Sequence, residues 1–340
     1  MNILLSSVGR RPYLVRWFQE ALKINGLSGM VIAADHDPAS PSRAFADDFV
    51  RAPSVDAPEY QDWLSKLLVE RGVKLAVSIN DFELSEWSGL PESETWAPLV
   101  RLSVDAQHVV EDKSRMAETL SRAGVSSPRT WSATQSVDGG VTESLVTKGR
   151  YGSGSRGLRF TTREGLQAAV REAVREVTTR QGIPALEQGE CEPEDLLVVQ
   201  EQIVGVEYGL DVICDLTGTY AGVLGRRKIA MRGGETDRAV SVDPEAFEQI
   251  ARDLAEVTRH PGTMDVDVIV TACGTPFVID INPRFGGGYP FSHLAGANLP
   301  AAYVAWATGR TLEPSWMRAK SGVTAAKYVE IAVSVGGDMP

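Results

Sequence analysis

Through its first hundred residues the chain alternates short apolar runs with stretches whose apolar side chains recur at helical spacing, and few folds accommodate that rhythm. Asn2–Ser6 is an apolar run that stops at Ser-Ser-Val-Gly, after which Leu14, Trp17, Phe18, Ala21 and Leu22 share one helical face. Met30–Ala34 reads as a second buried strand closed by Asp35, and Phe49–Ala52 as a weaker third. Trp63, Leu64, Leu67 and Leu68 mark a helix, and Leu75–Ile79 a further strand. Such a repeat implies an open parallel sheet whose carboxyl-edge loops carry Gly9-Arg10-Arg11, Asp35 and Asn80-Asp81-Phe82-Glu83.

The middle of the chain has another character. Asp112–Ala123 reads as a helix, Glu143–Lys148 as a strand, and Gly149–Gly157 as a glycine-rich loop. The spacing predicts a helix over Arg163–Arg180 and an acidic surface connection over Gln181–Asp195. Leu196–Gln200 opens a third part with long strands at Val206–Asp215 and Tyr220–Met231 and a helix at Glu245–Thr258. Val266–Thr271 and Pro276–Ile281 are expected to pair as a hairpin, followed by a small-residue helical region near Leu299–Thr308. The final dozen residues read as an edge strand or a tail.

The 340 residues suit two or three domains, and a 43% apolar content rules out global disorder. A net charge of −11 argues against broad phosphate neutralisation on a nucleic acid. No apolar run approaches the ~20 residues of a membrane span, and the start MNILLSSVGRR has the reverse polarity of a signal peptide. Cys191, Cys214 and Cys273 are few, distant and odd in number, so neither a disulfide framework nor a zinc site is supported. These features place the expectation in the cytoplasm.

Three constellations carry chemistry. The first is Lys148-Gly149-Arg150-Tyr151-Gly152-Ser153-Gly154-Ser155-Arg156-Gly157. Its glycines let backbone N–H groups approach an anion, and three cations accompany them with no acid between. A phosphate lid and a flexible basic hairpin both fit that pattern. The second is Asp280-Ile281-Asn282-Pro283-Arg284 with Asp267 on the preceding strand. Side chains two apart on an extended segment face the same way, so two carboxylates and an amide oxygen converge as hard donors suited to Mg²⁺, with Arg284 beside them. The bland reading is an Asn-Pro turn with solvated acids. The third is Gln200-Glu201-Gln202-Ile203-Val204-Gly205-Val206-Glu207, either an inter-strand turn or a linker offering backbone groups to an adenine edge and Glu207 to a ribose.

Lys113 at a helix start, Lys148 before a glycine-rich loop, QEQIVGVEYGLD and VIDINPRFGGG, taken in that order, resemble an ATP-grasp enzyme over roughly residues 111–310. The similarity is to the branch containing carbamoyl-phosphate synthase large subunits and amino-acid ligases. It implies a mixed α/β and α+β architecture: a preATP-grasp parallel βαβ domain (1–108), then a two-lobed ATP-grasp domain. The small lobe with the glycine-rich loop would span 109–199, the large lobe with the metal site 200–318, and a C-terminal segment 319–340.

Carried over by position, the resemblance implies that Lys113 and Lys148 contact ATP phosphates, with Gly152, Ser153, Gly154 and Ser155 in the loop closing over them. Gln200 would reach the adenine amino group, Glu201, Gln202 and Ile203 would offer backbone bonds, and Glu207 would hold the ribose. Asp267, Asp280 and Asn282 would bind two Mg²⁺ ions, with Mn²⁺ as a substitute, and Arg284 the transferring phosphate. Two departures stand out. Asp280 occupies a position where many members have Glu, and Lys113 one where carbamoyl-phosphate synthases have Arg. At 340 residues there is no second ATP-grasp half. The implied reaction converts a small carboxylate, an amino acid or peptide, to an acyl phosphate that an amine then attacks to form an amide, with catalysis by positioning and electrostatics. A homodimer is the family expectation.

On the strand around Arg226-Arg227-Lys228, Arg226 and Lys228 share a side and are candidates to meet phosphate or a substrate carboxylate. Arg10, Arg11, Asp81, Glu83, Gly287 and Gly288 are candidates for substrate contact, each with a structural alternative, and His293 is read as structural. An NAD-dependent oxidoreductase is disfavoured because Ser7-Val8-Gly9-Arg10-Arg11 lacks GxGxxG. A non-catalytic nucleotide-binding protein on the same fold would have been favoured by loss of Asp267, Asp280, Asn282 or Arg284, and all four are present. A phosphotransferase is the minor remaining option.

Overall fold

In the computed structural model, which describes residues 1–134, 143–152, 157–178 and 192–333, three sheets follow one another along the chain. The first contains β1 (Asn2–Ser6), β2 (Val31–Asp35), β3 (Asp48–Arg51) and β4 (Val73–Ser78), all parallel, in the order β3-β2-β1-β4. The expected βαβ rhythm is observed. Helix α1 (Pro12–Ile24) connects β1 to β2, α2 (Tyr60–Glu70) leads into β4, and α3 (Asp81–Gly89) follows it.

Strand periodicity divides the apolar residues between two faces. Leu4, Ile32, Ala34 and Ala76 pack with Tyr60, Leu64, Leu68 and Trp87 of α2 and α3. Ile3, Leu5, Val31, Ala33, Leu75 and Val77 face the other way, onto Leu14, Val15 and Phe18 of α1.

The next segment comprises α4 (Val104–Glu111), α5 (Lys113–Arg122), β5 (Thr130–Ser132), β6 (Ser144–Gly149), β7 (Arg159–Thr162), α6 (Leu166–Thr178) and β8 (Leu197–Glu201). Its sheet is antiparallel with order β5-β8-β6-β7, and α6 covers it through Val170 and Ala173. Of the acidic connection anticipated at 181–195, residues 181–191 lie outside the described residues, as does Cys191; Pro193–Leu196 is a single 3₁₀ turn.

The third sheet contains β9 (Gly205–Cys214), β10 (Tyr220–Arg232), β11 (Glu235–Val242), β12 (Thr263–Thr271), β13 (Pro276–Asn282) and β14 (Thr324–Ala326). Its order is β13-β12-β9-β10-β11-β14, and all neighbours are antiparallel. Helix α7 (Glu248–Thr258) packs on one face, and α8 (Tyr289–Leu294) and α9 (Leu299–Thr308) follow β13. Strand β14 pairs with β11 at Arg238, Ala239 and Val240, so the stretch after residue 318 contributes an edge strand to the third sheet.

The first and third parts of the chain share one core. Phe285, Tyr289, Leu299, Tyr303 and Val304 of the third part pack against Leu14, Phe18 and the β1–β2 face of the first. Phe285 is edge-on to Phe18 at 6.0 Å between ring centres. The loop that leaves β13 is thus anchored in the N-terminal domain.

His260 is wholly buried behind β9, with Nε2 3.0 Å from the Val212 carbonyl and Nδ1 2.9 Å from the Thr258 hydroxyl. Burial pushes its pKa down to about 4. The unfolded chain therefore binds a proton at this position between pH 6.5 and 4 that the native chain does not. Stability should be unaffected above that window and fall as the pH drops through it. In urea unfolding, the loss from pH 7 to pH 4.5 should be about 2–3 kcal/mol larger for wild type than for His260→Gln. Equal losses would exclude His260 as the titrating group.

Candidate active site

The hairpin β12–β13 sets the site. Its register places Asp267 directly opposite Asp280 and Asp265 opposite Asn282. The two carboxylates of the Asp267–Asp280 pair repel each other, and cations from three different elements surround them. Lys228 of β10 lies 2.7 Å from Asp267 and 2.6 Å from Glu207 of β9. Lys113, the first residue of α5, lies 3.3 Å from Asp280, and Lys148 of β6 donates to the Ile279 carbonyl at 2.7 Å.

The charges adjust accordingly. Burial, with help from Asp265 and Asp280, pushes the Asp267 carboxyl up to about 6 despite the opposing pull of Lys228. Burial acts on Asp280 in the same direction, but Lys113 and Lys148 outweigh it and hold that carboxyl below its ordinary value. Burial pushes Lys148 down to about 8, with Lys113 contributing.

Arg284 is the fourth cation. It reaches the N-terminal domain in a bidentate pair with Asp81, Nε–Oδ1 2.7 Å and Nη2–Oδ2 3.0 Å, and also donates to Asn282 Oδ1 at 3.2 Å. Asp81 is held at the start of α3, where the Asn80 side chain caps the helix by accepting from the Phe82 N–H. A cleft runs beside this pair, lined by Asp81, Gln107, Glu111, Lys113, Asp280 and Asn282. Gln107 and Glu111 belong to α4, which sequence reading did not delineate.

The glycine-rich segment is tied to the same place at its first residues. Arg150 forms a bidentate pair with Asp112, the N-cap of α5, at 2.9 and 2.7 Å. The Lys113 N–H donates to the Arg150 carbonyl at 3.1 Å, and Lys113 Nζ to the Gly152 carbonyl at 2.8 Å. Ser153, Gly154 and Ser155 lie outside the described residues.

Gln200, Glu201, Gln202 and Ile203 stand at the junction between the second and third sheets. Gln200 is buried with its amide donating to Thr130 Oγ1 at 2.8 Å. The backbone N–H groups of Glu201 and Gln202 donate to the carbonyls of Arg129 and Ser144, and Glu201 pairs with Arg129. In this arrangement those two amides already have partners.

Three expectations need revision. Glu83 does not face the cleft: it is 1% exposed and accepts from Ser6 Oγ, Tyr60 Oη and Ser78 Oγ inside the N-terminal domain. Arg10 is exposed, and its neighbour Arg11 is the one that turns inward, donating to the Phe285 carbonyl at 2.7 Å. Arg226 is fully buried, bridging Asp211 at 2.7 Å and Asp265 at 2.5 Å, which removes it from direct contact with a ligand. Gly288 serves that ion pair, since a Cβ there would stand 2.1 Å from Arg226 Nε; one on Gly286 would stand 2.0 Å from the Asp265 carboxyl carbon. Gly287 between them is half-buried and lies against Glu235. Asp265 is the residue that sequence reading missed, although its spacing from Asp267 places both on one strand face.

Among the described residues no three His, Cys, Asp or Glu side chains form a metal site by themselves. The donor set on β12 and β13 is two carboxylates and one amide oxygen. That set fits Mg²⁺, which commonly takes one or two carboxylates and completes its octahedron with water and phosphate oxygens.

Two family models match the chain. One, the PylC-like N-terminal domain, matches residues 3–94, and the other, described as ATP-grasp in the biosynthetic pathway with Ter operon, matches residues 192–331. The chain thus carries a PylC-like N-terminal domain and an ATP-grasp domain. Solved structures show the same fold at low identity. Biotin carboxylase from Campylobacter jejuni superposes with a TM-score of 0.70 at 17% identity, covering 94% of this chain and 73% of that one. N5-carboxyaminoimidazole synthetase from Staphylococcus aureus gives 0.66 at 15%, covering 92% and 78%. L-amino acid ligase from Bacillus licheniformis gives 0.65 at 17%, covering 90% and 75%. No curated protein matches the chain by sequence. No helix among the described residues is long and apolar enough to cross a membrane.

The buried Arg226 makes a direct prediction. Arg226→Met strands the Asp211 and Asp265 carboxylates, and loss of one partner from a buried pair costs about 3–5 kcal/mol. Chemical denaturation should show a loss of that size. An unchanged midpoint would mean that the triad does not hold the β9–β12 face and the glycine turn together.

Proposed function

We propose that the protein is an ATP- and Mg²⁺-dependent ligase that activates a small carboxylate as an acyl phosphate and joins it to an amine, releasing ADP and phosphate. The observation that carries this reading is the gathering of Asp267, Asp280 and Asn282 with Lys113, Lys148 and Arg284 around the β12–β13 hairpin. Such a set matches a polyphosphate with its divalent cation. ATP-grasp folds with the names carboxylase, synthetase and ligase support the same class.

Each residue has a task in this reading. Lys113 and Lys148 neutralise phosphate oxygens, and Glu207 accepts from the ribose hydroxyls. Asp267, Asp280 and Asn282 would hold Mg²⁺, which would supply charge neutralisation to the phosphates. Arg284 binds the carboxylate oxygen and the phosphoryl group that migrates to it. A carboxylate oxygen attacks the γ-phosphorus as the bond to ADP breaks. The amine nitrogen then attacks the acyl carbon, loses a proton and expels phosphate. No protein nucleophile is required, and positioned charge in a dry cleft supplies the stabilisation.

Lys228 is bracketed by Asp267 and Glu207, so it fixes the spacing between the metal carboxylate and the ribose acceptor. Burial opposes its charge, but those two acids raise its pKa above the ordinary lysine value. It therefore stays a cation through the physiological range.

Hydroxylamine traps an acyl phosphate as a hydroxamate. With Mg-ATP, hydroxylamine and a panel of amino acids and small carboxylic acids, the protein should form a hydroxamate with its own substrate. Neither hydroxamate nor ADP across the panel would sink the ligase reading for those acids. Arg284→Ala should abolish hydroxamate formation, a loss of about 10³-fold or more, while ATP affinity changes little. Normal turnover in that variant would remove Arg284 from the phosphoryl-transfer step.

A further inference from the structure

The cleft beside Asp81 and Asp280 has one wall that the phosphate chemistry does not use. Gln107 and Glu111 stand one turn apart on the same face of α4, and both line the cleft. Gln107 is 2% exposed, and its amide nitrogen donates to Glu111 Oε2 at 3.2 Å. Its amide oxygen is shut off from water and has no partner among the described residues. An acceptor buried without a donor costs free energy. Glu111 is also unfavourably placed. It is the last residue of α4, where the carbonyl end of the helix repels an anion. The cations near it in sequence are engaged elsewhere, Lys113 with Asp280, and Arg115 and Arg150 with Asp112.

The other polar groups of the cleft have partners. Both Asp81 oxygens and Asn282 Oδ1 accept from Arg284, while Lys113 serves Asp280 and the Gly152 carbonyl. What remains is acceptor: one amide oxygen and one carboxylate, with the apolar Val110, Ile281 and Pro283 beside them. The cavity is about 30 Å³, room for a water-sized group such as –NH₃⁺ and too little for a trimethylated nitrogen. A phosphate or carboxylate would meet only oxygens on this wall, whereas an ammonium supplies the missing donor and the missing counter-charge.

We infer that Gln107 and Glu111 form the subsite for the nitrogen of the attacking amine, with Gln107 accepting from its N–H and Glu111 taking its proton. The ligase reading supplies the chemistry on which this rests. The amine enters as an ammonium, and one proton passes to the Glu111 carboxylate, exposing the nitrogen electron pair. That pair bonds to the acyl carbon as the C–O bond to phosphate breaks, and a second N–H proton leaves on the phosphate. Arg284, which binds the activated carboxylate in this reading, borders the same cleft through Asp81 and Asn282, so nucleophile and electrophile share one cavity.

Binding tests the inference apart from turnover. Saturation-transfer NMR would use the full chain with n-butylamine, a cation at neutral pH, and with n-butyltrimethylammonium, which has the same charge and no N–H. n-Butylamine should bind saturably, and the quaternary ion at least about tenfold more weakly. Gln107→Leu should weaken n-butylamine by about tenfold, and Glu111→Gln, at a half-buried position, by a similar factor. Affinity for MgADP should be unchanged in both variants. With hydroxylamine as the amine and an acid that supports ADP release, Gln107→Leu should raise the KM for hydroxylamine about tenfold and leave that for ATP unchanged.

The inference is overturned if n-butylamine does not bind, if the quaternary ion binds as well, if neither substitution weakens n-butylamine, or if both weaken it and MgADP by the same factor. Amine binding with the expected pattern, but no ADP release from Mg-ATP with any acid, would instead reject the ligase reading and leave the amine subsite standing.

Discussion

Two carboxylates held opposite each other on paired strands need cations around them, and the site is organised by that requirement. Asp267 and Asp280 are fixed face to face by the β12–β13 register. Lys228 comes to them from β10, Lys113 from the start of α5 and Lys148 from β6. Each lysine sits on a different element, so assembling the charges also brings the second and third sheets together. The balance is uneven: Asp267 is pushed up to about 6 while Asp280 is held low. Such crowding suits a divalent cation and polyphosphate, whose charges would take over the neutralisation.

The N-terminal domain belongs to the same construction. Phe285 is fixed in the apolar face of the parallel sheet, and the adjacent Arg284 is paired with Asp81 of α3. Behind the loop, Gly286 and Gly288 let the backbone pass against Asp265 and Arg226. Because side chains at either position would collide with that ion pair, the run of three glycines is a packing requirement at its ends. Its middle position, Gly287, lies half-buried against Glu235.

Much of this was legible in the sequence, for physical reasons that can be named. Strands β1, β2 and β4 are buried on both faces and read as nearly continuous apolar runs. The Asp280-Ile281-Asn282 alternation identified one face of β13 directly. Helix α3 escaped because its buried face is Glu83, Leu84, Trp87 and Ser88, which mixes an acid and a hydroxyl into the apolar pattern. Strand β11 escaped because small and polar residues, Thr236, Ala239 and Ser241, fill its inward positions. The role of Arg226 was misread because its partners Asp211 and Asp265 lie 15 and 39 residues away, and spacing along one strand cannot show that a cation's face is closed. The likeness to ATP-grasp chains located the metal-type motif, yet only the folded chain shows that Arg11 rather than Arg10 turns inward.

The central claim is that the charges at this cleft direct phosphoryl transfer from ATP to a carboxylate oxygen. The most direct measurement follows oxygen. Carboxylic acids labelled with ¹⁸O in the carboxyl group are incubated with the protein, Mg-ATP and an amine, and the released phosphate is analysed by mass spectrometry. An acyl phosphate requires that one carboxyl oxygen leave with the phosphate, so the account predicts phosphate carrying a single ¹⁸O in step with ADP formation. Unlabelled phosphate accompanying ADP, or no ADP with any acid, would contradict it.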